Sequence, residues 1–90
     1  MKDVTVNKVL HILNENIETA EITLKNLEDD LSSIGMDSIG FVNIIVSLEE
    51  EFDCEIPDSK LLISEMNTAQ KIIDILNTMH EETLEHEQRN

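Results

Sequence analysis

The sequence predicts an all-α fold: a small four-helix bundle with three long helices, one short helix and a long first loop. Three observations carry that expectation. Apolar residues recur at helical spacing in three separate stretches, and no stretch alternates apolar with polar residues as a half-buried strand does. Two Gly and one Pro leave few means of building tight β-turns. The 90 residues fit one domain, expected at 1–84, with a polar tail at 85–90 that frays. Aromatic residues are 2% of the chain, so Leu, Ile, Val and Met have to build the interior.

The first helix is expected from about Asp3 to Asn16, capped by Asp3 or Thr5, because Val6, Leu10, Leu13 and Ile17 form a stripe that Val9 widens. From Glu18 to Asp37 the pattern loosens. A connection of that length needs anchors in a compact domain, and Leu24, Leu27, Leu31 and Ile34 supply candidates, with a helical turn around Leu24 to Leu27. A second helix spans Ser38 to about Phe52, with Phe41, Ile45, Leu48 and Phe52 on its core face. Pro57 then sets a turn, and Asp58 or Ser59 caps a short helix holding Leu61, Leu62 and Ile63. Thr68 caps the last helix, whose buried stripe is Ala69, Ile72, Ile73, Leu76 and Met79.

Twenty acidic residues against 6 basic ones give a net charge of −14. Binding to nucleic acid or to an anionic bilayer needs Lys and Arg to displace counterions, so neither is an expected partner, and no apolar run reaches membrane-spanning length. Basic protein surfaces suit this charge. Cys54 is the one cysteine, no internal disulfide can form, and the first residues carry no apolar signal segment; the expected location is cytoplasmic. The chain is expected to act as a monomer.

Ser38 stands at a helix start, between Asp37 and Ile39 and shortly after Gly35. Two readings are open on local physics. A serine there serves as an N-cap whose oxygen accepts a backbone N–H, or it presents a hydroxyl where unpaired N–H groups and the helix dipole favour an attached phosphate. Glu49, Glu50 and Glu51 close the same helix, where negative charge opposes the dipole and gains nothing locally. Ile39, Val42 and Val46 make its apolar stripe wider than one core face needs. Either a thin bundle covers them or they form an exposed docking strip beside acids.

Gly35-Met36-Asp37-Ser38-Ile39, then Val42, Ile45 and Leu48, then Glu49-Glu50-Glu51-Phe52-Asp53 and Glu55-Ile56-Pro57-Asp58, resemble an acyl carrier protein along nearly the whole chain. The ordered series is far more specific than an Asp-Ser pair. The resemblance implies a bundle of acyl-carrier-protein type and a 4′-phosphopantetheine arm on Ser38, donated by coenzyme A, whose thiol holds acyl groups as thioesters. It implies a non-catalytic carrier that is a substrate of other enzymes. Its partners would be a phosphopantetheinyl transferase, for which Asp37 is a recognition residue, and acyl-loading and acyl-processing enzymes whose basic patches meet Glu49 and Glu50 beside Ile39, Val42 and Val46. Asp37 has a plainer reading as an acid favoured by the dipole.

The chain departs from the fatty-acid carriers of that family. Gly40 and Asn43 stand where acids are common, Phe41 puts a ring where a smaller residue is usual, and the stretch from Pro57 to Thr68 is longer. Fatty-acid synthesis stays one reading; these departures weigh against its housekeeping form and leave room for a specialised acyl, polyketide or aminoacyl pathway. A stand-alone peptidyl carrier loaded with an amino acid is an alternative, and so is an acidic helical interaction module that is never modified. Other chemistry has little support. The acids before Cys54 raise a thiol pKa, His11, His80 and His86 are scattered, and Glu28, Asp29 and Asp30 lack the spacing of a calcium loop. Met36 reads as a gap filler or as a partner contact beside Ser38.

Overall fold

A computed structural model describes residues 1–88, with side chains described through residue 83. Three α-helices, α1 (Val6–Asn16), α2 (Ser38–Phe52) and α3 (Ala69–Gln88), are joined by connections that contain four short 3₁₀ turns, and the described residues include no strand. The all-α expectation holds, and α2 has its predicted bounds. α1 packs against both α2 and α3.

α1 starts three residues later than the pattern suggested. Thr5 is its cap, its hydroxyl oxygen accepting the Lys8 N–H at 3.3 Å. The residues ahead of it are drawn elsewhere, since the Lys2 N–H donates to the Phe52 carbonyl at 2.7 Å and so satisfies a carbonyl at the end of α2. Val9, Leu10, Ile12 and Leu13 are buried in α1, while Val6 lies only half-buried at its edge. In α2 the predicted face is buried, and Ile44 joins it with no exposure. Leu48 and Phe52 are fully enclosed, each burial stabilising the bundle by about 1.5–3 kcal/mol.

The last helix is capped as expected, the Thr68 hydroxyl oxygen accepting the Lys71 N–H at 3.1 Å. It continues to Gln88, across the first residues of the tail expected at 85–90. Glu and Gln are good helix formers, and no Gly or Pro interrupts them. Residues 89–90 lie outside the described residues.

The long first connection is pinned at points that side-chain chemistry selects. Ile22 and Leu31 are buried, whereas Leu24 is 64% exposed. Asn14 clamps Ile22 like a strand partner, its Nδ2 donating to the Ile22 carbonyl at 2.9 Å and its Oδ1 accepting the Ile22 N–H at 2.6 Å. Thr23 and Asn26 form a reciprocal cap around the turn Leu24–Asn26. In the second connection the short helix around Leu61 is replaced by two 3₁₀ turns, Asp58–Lys60 and Ile63–Glu65. Leu62 and Ile63 are exposed there, so no apolar face holds an α-helix against the core; Ile56 and Met66 anchor the segment instead. The first connection is tied by backbone bonds to the second and to α3, the Leu31 N–H donating to the Asn67 carbonyl at 2.8 Å and the Gln70 N–H of α3 to the Leu27 carbonyl at 2.9 Å.

Candidate functional site

The start of α2 is fixed from both sides. Leu31–Ile34 form a 3₁₀ turn that Gly35 ends with a left-handed φ of 119°, and the Thr19 hydroxyl donates to the Ile34 carbonyl at 2.8 Å. A Cβ on Gly35 would run into that hydroxyl. Met36 follows and is buried at 5% exposure, so it is a core anchor; the alternative of a partner contact is overturned, because its side chain is turned inward. On the far side Phe41 is also buried and helps fill the interior. Between these two anchors the chain presents Asp37, Ser38 and Ile39 to solvent.

Asp37, not Ser38, is the N-cap. Its Oδ1 accepts the Gly40 N–H at 2.7 Å, and its carbonyl accepts the Phe41 N–H at 2.8 Å. Ser38 is therefore the first helical residue, and its exposed side chain makes no hydrogen bond among the described residues. The capping reading of Ser38 fails for a simple reason. The carboxylate one residue earlier already satisfies the N–H that a capping oxygen would take. A Cβ on Gly40 would lie 3.1 Å from the Asp37 carboxylate, so the residue that replaces an acid here also lets the cap close over it.

Farther along, Ile39, Val42 and Val46 are 74%, 58% and 46% exposed, which settles their position on the surface rather than in the bundle. The three glutamates differ from one another. Glu49 Oε2 accepts the Ile56 N–H at 2.9 Å, while the Glu49 carbonyl accepts N–H groups from Asp53 and Cys54. Glu51 lies 3.7 Å from Lys8 across the α1 interface. Glu50 is exposed and makes no ion pair or hydrogen bond among the described residues. The expectation that local stability has no use for this run is thus wrong for Glu49. Chain reversal after Asp53, itself left-handed at φ 52°, brings an unpaired N–H to that carboxylate.

Cys54 is half-buried, and burial, followed by the Glu49 carboxylate, pushes its thiol pKa up. His11 contacts Glu15 at 2.6 Å and His80 contacts Asp3 at 3.1 Å, while the side chain of His86 lies outside the described residues. Among the described residues no three His, Cys, Asp or Glu side chains converge as metal ligands, and no helix is long and apolar enough to cross a membrane.

Residues 7–76 match the family described as the phosphopantetheine attachment site, which covers most of the chain. The chain belongs to this family. No solved structure matches it. The family is defined by a covalently attached 4′-phosphopantetheine, so this is a phosphopantetheine-carrying carrier protein, of a kind that works with transferases and acyl-processing enzymes. The carrier's own geometry fits such a group. Ser38 offers an uncommitted, exposed hydroxyl on the first turn of a fifteen-residue helix, where negative charge is favoured. Gly35 and Asp37 fix the backbone that presents this hydroxyl. Their signals in sequence are a Gly just after Leu31–Ile34 and an Asp directly ahead of an apolar helical run.

Proposed function

We propose that Ser38 is the residue that bears the arm, and that the protein carries acyl groups in a specialised acyl or polyketide pathway as a non-catalytic substrate of its partner enzymes. One observation carries the reading: the Asp37 carboxylate takes the capping bond, which leaves the Ser38 hydroxyl free and exposed at the helix start.

In loading, Ser38 Oγ bonds to the phosphorus of the phosphopantetheinyl group of coenzyme A, the pyrophosphate link breaks, the nucleotide leaves, and the hydroxyl proton passes to the transferase. Once attached, the arm supplies a terminal thiol that holds acyl groups as thioesters. The chain's own contribution is placement. Asp37 holds the first turn closed with one oxygen, and on this exposed side chain the second makes no hydrogen bond among the described residues, which leaves it for a metal ion or basic group of the transferase. Gly40 and Asn43 leave the first turns of α2 without acids, and Phe41 fills the interior near Ser38; both favour a pathway other than housekeeping fatty-acid synthesis.

Intact mass after incubation with coenzyme A and a broad-specificity transferase tests the assignment. Wild type gains one phosphopantetheine, and Ser38→Ala gains none while keeping its helical circular dichroism. A gain on the variant moves the site to another hydroxyl. The identity of the pathway is read from which acyl- or aminoacyl-loading enzyme charges the thiol; an amino acid on it would favour the peptidyl carrier instead.

A further inference from the structure

Although 20 of the 90 residues are acidic, the eleven from Ser38 to Leu48 include no ionisable side chain. They make about three turns of α2. On the outer surface of those turns stand Ile39, Val42 and Val46, with the neutral Asn43 exposed beside them. In line with Ile39 and Val46 the first acid is Glu50, twelve residues and about 18 Å along the helix from Ser38. Its neighbours are committed, Glu49 to the Ile56 N–H and Glu51 to Lys8.

We infer that the enzymes acting on this carrier cover the outer face of α2 beyond Ser38, at Ile39, Val42 and Val46, with an apolar, uncharged surface and, apart from the group that meets Asp37, place a single cation opposite Glu50, about 18 Å from their reactive centre. The inference rests on Ser38 as the attachment residue. A Lys or Arg pressed against Ile39, Val42 and Val46 would lose its water and find no carboxylate, whereas an apolar side chain there gains from burial. The stripe therefore rejects partners with basic patches as well as accepting apolar ones. Two other occupants fit badly. A second copy would bring together two chains of net charge −14, and an anionic bilayer would repel the same charge.

The probe is a broad-specificity phosphopantetheinyl transferase with coenzyme A, and the readout is kcat/KM for arm attachment. From roughly 0.05 to 0.5 M NaCl the wild-type value should change by less than about threefold, since burial of hydrocarbon is not screened. Ile39→Asp and Val42→Asp should each lower it by about tenfold at either salt concentration. Both sites are exposed, so circular dichroism should be unchanged. Glu50→Gln should lower it by about twofold to threefold, and only at low salt. A rise in kcat/KM for either Asp variant, values within about twofold of wild type, or a wild-type loss of about tenfold or more with salt would each overturn the inference. Concentration-dependent dimers in sedimentation would overturn it by giving the stripe to a second copy. If wild type gains no arm, the Ser38 assignment falls and this inference with it; if wild type is loaded and the Asp variants load equally well, only the inference falls.

Discussion

At its N-terminal end α2 is held by groups that leave Ser38 uncommitted, whereas at its C-terminal end the acids that look idle in sequence are largely taken. Gly35, Met36, Asp37 and Phe41 each occupy one structural role, and the serine among them has none. At the other end, Glu49 ties the returning chain to the helix and Glu51 reaches Lys8. The contrast teaches that availability cannot be read from polarity. A hydroxyl is freed because a better acceptor precedes it, and a carboxylate is consumed because the fold brings an orphan N–H to it.

Breaking the N-terminal end should have the largest effect. Gly35→Ala puts a Cβ into Thr19 and a side chain on a left-handed φ, and is expected to cost about 2–3 kcal/mol in urea unfolding. A loss no larger than that of an ordinary surface substitution would show that the turn before Asp37 can relax.

The glutamates sharpen the contrast at the other end. Glu49→Ala should destabilise by about 1–2 kcal/mol through loss of a charge-assisted bond to Ile56. Glu50→Ala should stay within about 0.5 kcal/mol of wild type. Equal losses in chemical denaturation would erase the distinction drawn between them.

Asp37 separates two jobs held by one side chain. Asp37→Ala should cost about 1 kcal/mol as a lost cap, while Asp37→Asn keeps a capping oxygen and most of that stability. The Asn variant should nonetheless load its arm more slowly, because it lacks the charge offered to the transferase. Equal loading rates for Asn and Asp would leave capping as the residue's whole role.

The smallest effect is at Cys54. Burial and its raised pKa leave less thiolate than on a free thiol, so alkylation by iodoacetamide at mildly alkaline pH should run slower than for a free thiol and recover on unfolding. The sign for stability follows from the same shift. The unfolded chain loses this proton first as pH climbs past the ordinary thiol value, so Cys54 lowers stability in the window from there up to its folded pKa, and has no such effect below it. Substitution by Ala should flatten that alkaline decline.

Periodicity in the chain located the three α-helices, the inward face of α2 and the Thr68 cap, because a helix's buried stripe and its first oxygen are set by residues three and four apart. The Asp-Ser motif and its ordered companions likewise carried the family. Contacts between segments distant in sequence decided the rest. Residues ahead of Thr5 left α1 for the Phe52 carbonyl, Leu62 and Ile63 had no surface to pack on and formed turns, and Met36 turned into the core. Glu49 shows the division most plainly: its charge is written in the chain, but only the path from Asp53 to Ile56 brings it the N–H that it binds. Spacing along one helix reports which residues share a face, and a hydrogen bond across a reversal depends on where the backbone returns.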